Sequence, residues 1–421
     1  MAALSACVIL GAALAACGSA QASRQPTVSH QRAVPATTPV APSTTVAPTP
    51  TTAPAPTAVS IPPVPGWSPP LTTIPPGGGI TSVACISDTF CISAGGGDNH
   101  ADSTDTSGAG LTQSWDGETW SDPSTYFPAP TAPNGDWPLM PAVACTSGPF
   151  CVVADGSGAV SNGDGTNWIT PVGLPSAPTL PANPADPGPG HAGSRTTAVS
   201  CPSPSFCAIV ENTGTVYTWR HGAWLTPQAF GAPDGPGGST TALYAPGRVG
   251  LSCPTATACT AVVGTAVLDW DGTQWSEESA PWSIAADPRG VAVACPTATL
   301  CAIVSGPVMA FRNGTATWSA PRAIDPGGQL DGISCPTTSF CMAVDAGGSA
   351  VSFDGSTWAP PVKVLPPATE YTGIGTSVAC TSDQFCMVLN GDGDYTAFNP
   401  PMPGSESPTA TTSPTTTTVP G

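Results

Sequence analysis

One cysteine pair, written C-x5-C, recurs seven times along the chain. The pairs are Cys85 and Cys91, Cys145 and Cys151, Cys201 and Cys207, Cys253 and Cys259, Cys295 and Cys301, Cys335 and Cys341, and Cys380 and Cys386. The first cysteines of successive pairs lie 40 to 60 residues apart, and a unit repeated at such a period is typical of propellers and solenoids. The pattern therefore predicts one supersecondary unit copied seven times.

Each repeat reads as four short strands, which we call A to D. The segment that begins at Cys335 reads CPTTSFCMAVDAGGSAVSFDGSTW, and strand A ends at the first cysteine while strand B begins at the second. Strand C is expected to run up to an aromatic residue, at Trp115, Trp219, Trp270, Phe311, Phe353 or Phe398. Asp-Gly, Asn-Gly or His-Gly follows as a hairpin signal, because these residues accept positive φ. Strand D then opens at Trp120, Trp168, Trp224, Trp275, Trp318 or Trp358.

The last repeat lacks its tryptophan strand, and the first repeat is preceded by a spare one. After Cys386 the pattern stops at Pro400, whereas Gly66-Trp67-Ser68-Pro69-Pro70-Leu71 resembles the strand-D segment around Trp358. A propeller removes its sheet edge by pairing its first strand into its last blade. The sequence therefore predicts an all-β, seven-bladed β-propeller with four-stranded blades, closed by an N-terminal strand around Trp67.

Composition divides the chain into four parts. Of 421 residues, 53 are Pro and 47 are Gly, and the Pro-rich stretches lie at the two ends, where aromatic residues are scarce. We predict a lipoprotein signal peptide at 1–16, an Ala/Pro/Thr-rich disordered linker at 17–64, the propeller at 65–400 and a Pro/Ser/Thr-rich disordered tail at 401–421.

The charge balance argues against two classes of partner. Nine Lys and Arg stand against 27 Asp and Glu, for a net charge of −18. Nucleic-acid binding needs a basic stripe that displaces counterions, and anionic lipid headgroups attract basic segments. We therefore expect no nucleic-acid partner and no direct lipid-surface binding. A monomer is expected.

The N-terminus predicts export. An apolar run leads into Leu14-Ala15-Ala16-Cys17-Gly18-Ser19, which resembles a bacterial lipobox. That resemblance implies that Cys17 is diacylated and becomes the mature N-terminus, with the protein extracellular and anchored to the cell membrane. The alternative is an ordinary cleaved signal peptide.

The cysteine count agrees with this assignment. Once Cys7 leaves with the signal and Cys17 is lipidated, the remaining 14 of 16 cysteines are the seven pairs. An exported chain meets an oxidising environment, so seven disulfides are expected. A metal role is disfavoured, because C-x5-C is not a usual zinc spacing and the chain has only four His. No cofactor is predicted.

Length variation is expected on one face of the ring. The A–B turn is five residues in all seven repeats, whereas the distance from the strand-D Trp to the next Cys varies from 17 to 33 residues. Strand B to strand C is constant except in the first repeat, where Cys91 to Trp120 spans 29 residues. B–C and D–A connections share one face of a meander, and insertions often mark a binding face.

Polar and aromatic residues of these long connections form the candidate binding rim: Asp98, Asn99, His100, Asp102, Asp105, Trp137, Asp186, His191 and Tyr244. The 95–108 insert of the first repeat is interpreted as a solvated polar loop. The alternative is a Ca²⁺ site at Asp98, Asp102 and Asp105, since Ca²⁺ takes oxygen ligands. Trp137 and Tyr244 could stack on a sugar ring or pack their own loops onto the rim.

The repeats resemble those of uncharacterised secreted actinobacterial propeller lipoproteins, whose blades show C-P-[ST]-x-x-x-C followed by D-G-x-x-W. The resemblance covers roughly 66–400 and implies the fold and export, but no chemistry. A weaker similarity links Ser352–Trp358 to the sialidase Asp-box, from which it departs by one missing residue between Asp354 and Gly355. Asp-boxes are structural turns, so no catalytic residue is assigned.

Two functions from different classes follow. The favoured one is a non-enzymatic cell-surface lipoprotein whose propeller binds a glycan or protein through the variable rim. The alternative is a carbohydrate-active enzyme, a glycoside hydrolase or lyase, with carboxylates over the central channel. Glu211, Asp345 and Asp155 follow strand B at equivalent positions, which we interpret as repeated turn chemistry rather than an acid/base pair.

Overall fold

The computed structural model describes ten stretches of the chain: residues 61–73, 78–97, 110–127, 141–155, 158–175, 197–230, 249–279, 290–314, 317–367 and 376–399. Within these ranges, residues 147, 149, 213 and 265 are not described. Strands and turns make up these stretches, and none contains a helix. The described residues therefore contain no helix that could span a membrane.

Seven small antiparallel sheets account for all the described strands. Blade 1 contains β2 Gly78–Ser87, β3 Phe90–Gly97, β4 Gly110–Trp115 and β5 Ser124–Phe127. Blade 2 contains β6 Ala142–Thr146, β7 Phe150–Ala154, β8 Ala159–Gly163 and β9 Val172–Gly173. Blade 3 contains β10 Thr197–Ser203, β11 Phe206–Glu211, β12 Thr215–Arg220, β13 Ala223–Trp224 and β14 Gln228–Ala229, the last two both pairing with β12.

Blade 4 contains β15 Val249–Thr255, β16 Ala258–Val263, β17 Ala266–Trp270 and β18 Trp275–Ser279. Blade 5 contains β19 Val291–Thr297, β20 Leu300–Ser305, β21 Val308–Asn313 and β22 Arg322–Ala323. Blade 6 contains β23 Leu330–Thr337, β24 Phe340–Asp345, β25 Ser349–Phe353 and β26 Val362–Lys363. Blade 7 contains β27 Ser377–Ser382, β28 Phe385–Leu389 and β29 Asp394–Phe398, and its outer strand is β1 Leu71–Thr72.

The N-terminal strand closes the ring, as predicted. Leu71 pairs with Tyr395 and Thr72 with Asp394, and the bridge from Trp67 to Phe398 continues this pairing. The Trp67 and Phe398 ring centroids lie 5.1 Å apart. The first strand of the chain therefore completes the last blade, and the predicted seven-bladed propeller is confirmed.

The core consists of seven separate hydrophobic clusters, one at each junction between neighbouring blades. The junction between blades 7 and 1, for example, buries Ile80 and Val83 against Met387 and Leu389. Strand B supplies much of each cluster because it is an inner strand, covered by a blade on both sides. Such strands read as continuous apolar runs rather than as alternation, as in Phe206–Glu211, where every residue is buried.

All seven cysteine pairs form disulfides, as predicted, and each bond joins the end of strand A to the start of strand B. The Cα–Cα distances run from 3.9 to 4.2 Å. A loop this short loses little chain entropy, so one bond stabilises the fold by about 2 kcal/mol. The bonds join Cys85 to Cys91, Cys145 to Cys151, Cys201 to Cys207, Cys253 to Cys259, Cys295 to Cys301, Cys335 to Cys341 and Cys380 to Cys386.

The second cysteine of each pair lies deep in the blade. Cys151 is completely buried and Cys207 is 2% exposed, because both begin an inner strand that a neighbouring blade covers. Cys151 packs in the cluster between blades 1 and 2, and Cys207 packs in the cluster between blades 2 and 3. The disulfides are therefore part of the hydrophobic core, in agreement with a structural role.

Serine hydroxyls connect the innermost strands of neighbouring blades. The backbone N–H of Cys253, Cys295 and Cys380 donates to a serine Oγ of the preceding blade, at 3.0, 2.9 and 3.0 Å. Ser377 and Ser82 accept similar bonds from Val83 and Val143, two residues earlier on strand A. Strand A has no strand partner on its channel side, so these hydroxyls satisfy amides that the sheet leaves unpaired.

Two local expectations differ from the structure. In the Asp-Gly turns only the glycine takes a positive φ, for example 90° at Gly355, whereas the aspartate accepts hydrogen bonds from its own turn. In blade 5 the residue opposite the second cysteine is Arg312, and Phe311 lies opposite Ala302. A one-residue offset turns a side chain to the other face of a strand, so Phe311 packs towards blade 6 against Phe353.

Candidate functional site on the variable rim

The strand order gives the ring two unlike faces. Successive turns of an antiparallel meander alternate between its two ends, so the A–B and C–D turns share the face that carries the disulfides. We call it the disulfide face. The B–C and D–A connections share the opposite face, the variable rim, and the five longest connections leave from there: β3 to β4, β5 to β6, β9 to β10, β14 to β15 and β26 to β27.

Aspartates of the disulfide face cap their own turns. Asp354 Oδ1 accepts the backbone N–H of Thr357 at 2.7 Å and that of Ser356 at 2.8 Å. The Thr357 amide is the main reason why the pKa of Asp354 lies below its usual value. Hydrogen bonds within the turn also lower the pKa of Asp116, Asp164 and Asp271. These carboxylates accept hydrogen bonds within their own turns.

The B–C turns on the rim show a second repeated motif. Asp155 Oδ1 accepts the N–H of Ala159 at 2.9 Å, and Asp345 Oδ1 accepts that of Ser349 at 2.5 Å. In blade 7 the amide oxygen of Asn390 accepts the N–H of Asp394 at 2.9 Å. These bonds support the interpretation of the Asp155 and Asp345 positions as turn chemistry.

The connection between blades 5 and 6, residues 324–329, brings two carboxyl groups together. Asp325 and Asp345 are both 4% exposed, and a Cβ added to Gly328 would collide with the Oδ2 atoms of both. The glycine is therefore required for the close approach of the loop to the B–C turn. Asp331 joins the cluster at the start of strand A of blade 6, where its Oδ2 accepts the N–H of Thr376 at 2.9 Å.

Burial raises the pKa of Asp325, and a hydrogen bond with Asp345 and the negative charge of Asp345 raise it further. A neighbouring negative charge disfavours the ionised form of a carboxyl group. Burial is also the main reason why the pKa of Asp331 lies well above its usual value. Its Oδ1 is buried and accepts no hydrogen bond from the described residues.

This cluster does not fit the chemistry of a glycoside hydrolase. Both Oδ2 atoms lie within 2.5 Å of the position of a Cβ added to Gly328, so the two carboxyls are closer together than the roughly 5 to 9.5 Å that separates catalytic pairs. Within the described stretches, no group of three or more His, Cys, Asp and Glu side chains is arranged to hold a metal ion. The cluster fastens the 324–329 connection to the B–C turn of blade 6.

The residues predicted to form the binding rim lie outside the described residues: Asp98, Asn99, His100, Asp102, Asp105, Trp137, Asp186, His191 and Tyr244. Cys17 also lies outside them. The described strands on either side of these connections end at the rim side of the ring. The Ca²⁺ alternative at Asp98, Asp102 and Asp105 thus stays a prediction.

The carboxylate cluster is a feature that sequence reasoning missed. Asp325 and Asp331 flank Pro326-Gly327-Gly328, which lies in the connection with the smallest spacing between a strand-D Trp and the next Cys. A short Gly-rich connection with an Asp at each end, next to the B–C turn residue Asp345, is a usable signal. Repeat alignment hides it because it occurs in one junction only.

Comparisons with known proteins establish the fold and no more. No family model matches the chain, and no curated protein matches it. Among solved structures, "YCF48 bound to D1 peptide" is 14% identical with a TM-score of 0.51, covering 81% of this chain and 98% of the other. RRP9 WD40 repeats are 9% identical with a TM-score of 0.54, covering 78% and 97%. Virginiamycin B lyase from Staphylococcus aureus is 9% identical with a TM-score of 0.52, covering 79% and 98%.

Proposed function

We propose that this chain is a non-enzymatic cell-surface lipoprotein, anchored through Cys17, whose propeller binds a protein or a glycan through the variable rim. The observation that carries the proposal is a structural difference between the two faces of the ring. Every long connection leaves from the rim, while the disulfide face repeats short turns whose aspartates are used within the turns. Binding residues tend to lie on variable loops displayed by a rigid scaffold.

A protein partner receives support from the similar folds. YCF48, one of the similar propellers, has been solved bound to D1 peptide. Propellers with such different partners share a ring and differ in their loops, so the fold alone names no partner. The carbohydrate-active enzyme is not favoured, because Asp325 and Asp345, the closest described carboxyl pair, lie too near each other to act as a catalytic pair.

The test of the rim is a binding screen with the complete mature protein on glycan and peptide arrays. Hits are then measured with Trp137→Ala and Tyr244→Ala, and with Ile169→Ala as the matched control, because Ile169 is a 50% exposed apolar side chain next to a C–D turn. We expect the rim variants to weaken a specific hit by about tenfold or more and the control to leave it unchanged. Equal affinity in all three variants contradicts the rim assignment.

The anchor is tested separately. Cys17→Ala should release the protein into the medium, and metabolic labelling with a palmitate analogue should mark the parent chain and not the variant. Retention of the variant at the membrane contradicts lipidation at Cys17 and leaves the rim proposal intact.

A further inference from the structure

Blade 5 differs from the other blades at one structural position, the strand-C residue opposite the second cysteine. Five blades have an aromatic residue there and blade 2 has a glycine: Trp115, Gly163, Trp219, Trp270, Phe353 and Phe398. Blade 5 has Arg312. Since an aromatic residue suits this position in five other blades, the fold itself does not need an arginine there.

Arg312 projects from blade 5 onto blade 4. Its two terminal nitrogens contact Asp269, Nη1 to Oδ2 at 2.5 Å and Nη2 to Oδ1 at 2.6 Å. Nη1 also donates to Glu278 Oε2 at 3.2 Å, and Nη2 donates to Thr260 Oγ1 at 2.8 Å. The guanidinium carbon lies 4.7 Å from the Trp318 ring centroid. The guanidinium is thus fixed from both sides.

The blade 4 partners of Arg312 are also exceptional. Thr260 follows the second cysteine of its blade, where the other six blades have Ile92, Val152, Ala208, Ala302, Met342 and Met387. Thr260 Oγ1 donates to Asp269 Oδ1 at 2.7 Å. Three polar residues therefore come together at a single junction. Ion pairs that are partly removed from water gain little stability over apolar packing, so packing alone does not explain the exchange.

A groove of about 330 Å³ opens beside this network on the disulfide face. Pro254 and Ala258 of blade 4 and Ala298 of blade 5 line it, together with Asp269, Glu278 and Arg312. Ligand sites have volumes of about 300 to 1,000 Å³, so the groove suits a ligand of side-chain size. All of these residues belong to the described part of the chain.

The charges of the groove select the ligand. Two carboxylates surround one guanidinium, and the side chains of Asp269 and Glu278 are 28% and 44% exposed while that of Arg312 is 14% exposed. The guanidinium of Arg312 is paired with both carboxylates. Because two negative groups face one positive group, the groove has a net negative charge. Trp270 is only 4% exposed, so the groove lacks the open aromatic face on which a sugar ring stacks. Its chemistry fits a compact cation that donates hydrogen bonds.

We propose that the groove between blades 4 and 5 binds a lysine side chain of a protein partner, as a second contact on the face opposite the variable rim. The ammonium group is received by Glu278 and the exposed edge of Asp269, and Pro254, Ala258 and Ala298 contact the alkyl stem. Arg312 positions both carboxylates. The net charge of −18 attracts basic partners over a longer range.

The test uses the complete mature protein with methyl-labelled alanines, because Ala258 and Ala298 report from the groove and Ala346 reports from the rim. The probe is the peptide acetyl-Gly-Lys-Gly-amide, and its matched partner has norleucine in place of lysine. We expect the lysine peptide to shift the Ala258 and Ala298 methyl signals, to leave Ala346 unchanged and to lose affinity as salt rises. The norleucine peptide should shift none of them.

Two neighbouring glutamates provide the matched variants. Glu278→Gln removes a carboxylate that contacts Arg312, and Glu277→Gln removes the same charge from the adjacent residue, which faces the other side of β18. We expect the dissociation constant to rise about threefold to tenfold in Glu278→Gln and to stay unchanged in Glu277→Gln. Equal losses in the two variants would reduce the effect to net charge and overturn the site.

A double variant keeps the proposal falsifiable if single changes loosen the junction. Arg312→Phe with Asp269→Ser installs the pair that the junction between blades 7 and 6 carries as Phe398 and Ser352, so it should fold with an unchanged melting temperature and lose lysine binding. Retained binding in this variant overturns the proposal. So do equal shifts from the norleucine peptide, no shift at all, or shifts of the groove methyls by an oligosaccharide panel alone. A rim that binds normally in this variant separates the groove from the proposed rim function.

Discussion

The pKa values of carboxyl groups on the two faces of the ring are shifted in opposite directions. On the disulfide face Asp354 is exposed and accepts backbone amides, so its pKa is lowered. On the variable rim Asp325 is buried against Asp345, so its pKa is raised. The same residue type therefore has its ionised form favoured by backbone amides on one face and disfavoured by burial on the other.

The difference shows what each face is built to do. In four blades the disulfide face repeats one arrangement, a disulfide-linked A–B turn beside a C–D turn that an aspartate caps. Blade 3 has His221-Gly222 in its C–D turn, and blade 5 has Asn313-Gly314 there. The D–A connections of the rim have many lengths, and the one between blades 5 and 6, 324–329, is fastened by a carboxyl pair that occurs nowhere else among the described junctions. We infer that the ring is stabilised mainly by the disulfide face and by the contacts between the A strands of neighbouring blades.

The largest expected effect follows from removal of the aromatic contact that closes the ring. Trp67→Ala deletes the ring that packs on Phe398, and loss of a packed tryptophan costs about 3 kcal/mol. Leu71→Ala on the same closing strand is the control, because Leu71 is 56% exposed and its loss should cost less than about 0.5 kcal/mol. Urea unfolding with intact disulfides measures both, and equal losses contradict the assigned role of Trp67.

Removal of one disulfide should have the next largest effect on the free energy of unfolding. Cys335→Ala with Cys341→Ala should lower the free energy of unfolding by about 2 kcal/mol, since the open hairpin regains chain entropy. The rim control is Val362→Ala with Lys363→Ala, because both residues are exposed on the short outer strand β26. A control that destabilises the fold as much as the cysteine variant breaks the comparison between the faces.

A smaller loss of stability is expected when a hydrogen bond between the A strands of neighbouring blades is removed. Ser334→Ala removes the acceptor of the Cys380 amide, and an amide left without its partner costs about 1 kcal/mol. Ala294→Ser is the reverse change at the equivalent position of blade 5, and it should not destabilise the ring. Thermal unfolding of both variants checks this, and an unchanged Ser334→Ala protein contradicts the role given to the serine.

The smallest effects at neutral pH concern the two kinds of aspartate, whose pH dependences have opposite signs. Asp354 has a lowered pKa in the folded state, so its stabilisation is present above the unfolded pKa of about 3.9 and is lost as pH falls below it. Asp325 has a raised pKa, so the stability linked to its proton is present below about 3.9 and is lost as pH rises through the folded pKa.

Melting curves of Asp354→Asn and Asp325→Asn between pH 3 and 8 test these signs. Relative to the parent, Asp325→Asn should gain stability as pH rises, because the buried group no longer has to ionise. Asp354→Asn should lose most relative to the parent at neutral pH and least at pH 3. Parallel curves for the two variants contradict the assigned environments.

The repeating features of the fold are predictable from the sequence because each is written several times. The C-x5-C spacing determines the A–B hairpins, and the unpaired segment around Trp67 shows how the ring closes. Alignment of strand C on aromatic residues, and not on distance from the cysteine, misplaces Phe311. Phe311 follows Cys301 by 10 residues, whereas Trp270 follows Cys259 by 11, and that difference turns the side chain to the other face.

The local sites are less predictable because each occurs once. Asp325 and Asp345 are 20 positions apart in the sequence, and only the folded turn brings their carboxyls together. Asp269 and Arg312 belong to different blades, so their contact depends on the register of both. Alignment of repeats averages out such exceptions.

Face-specific photo-crosslinking on intact cells tests the central claim most directly. A photo-reactive residue replaces Trp137 or Tyr244 on the rim connections, and Thr119 or Thr357 in C–D turns away from the blade 4/5 groove. Our account predicts adducts with a cell-surface protein or glycan from the two rim positions and none from Thr119 and Thr357. Adducts of equal yield from both faces, or from the two C–D turns alone, would contradict a binding rim opposite a structural face.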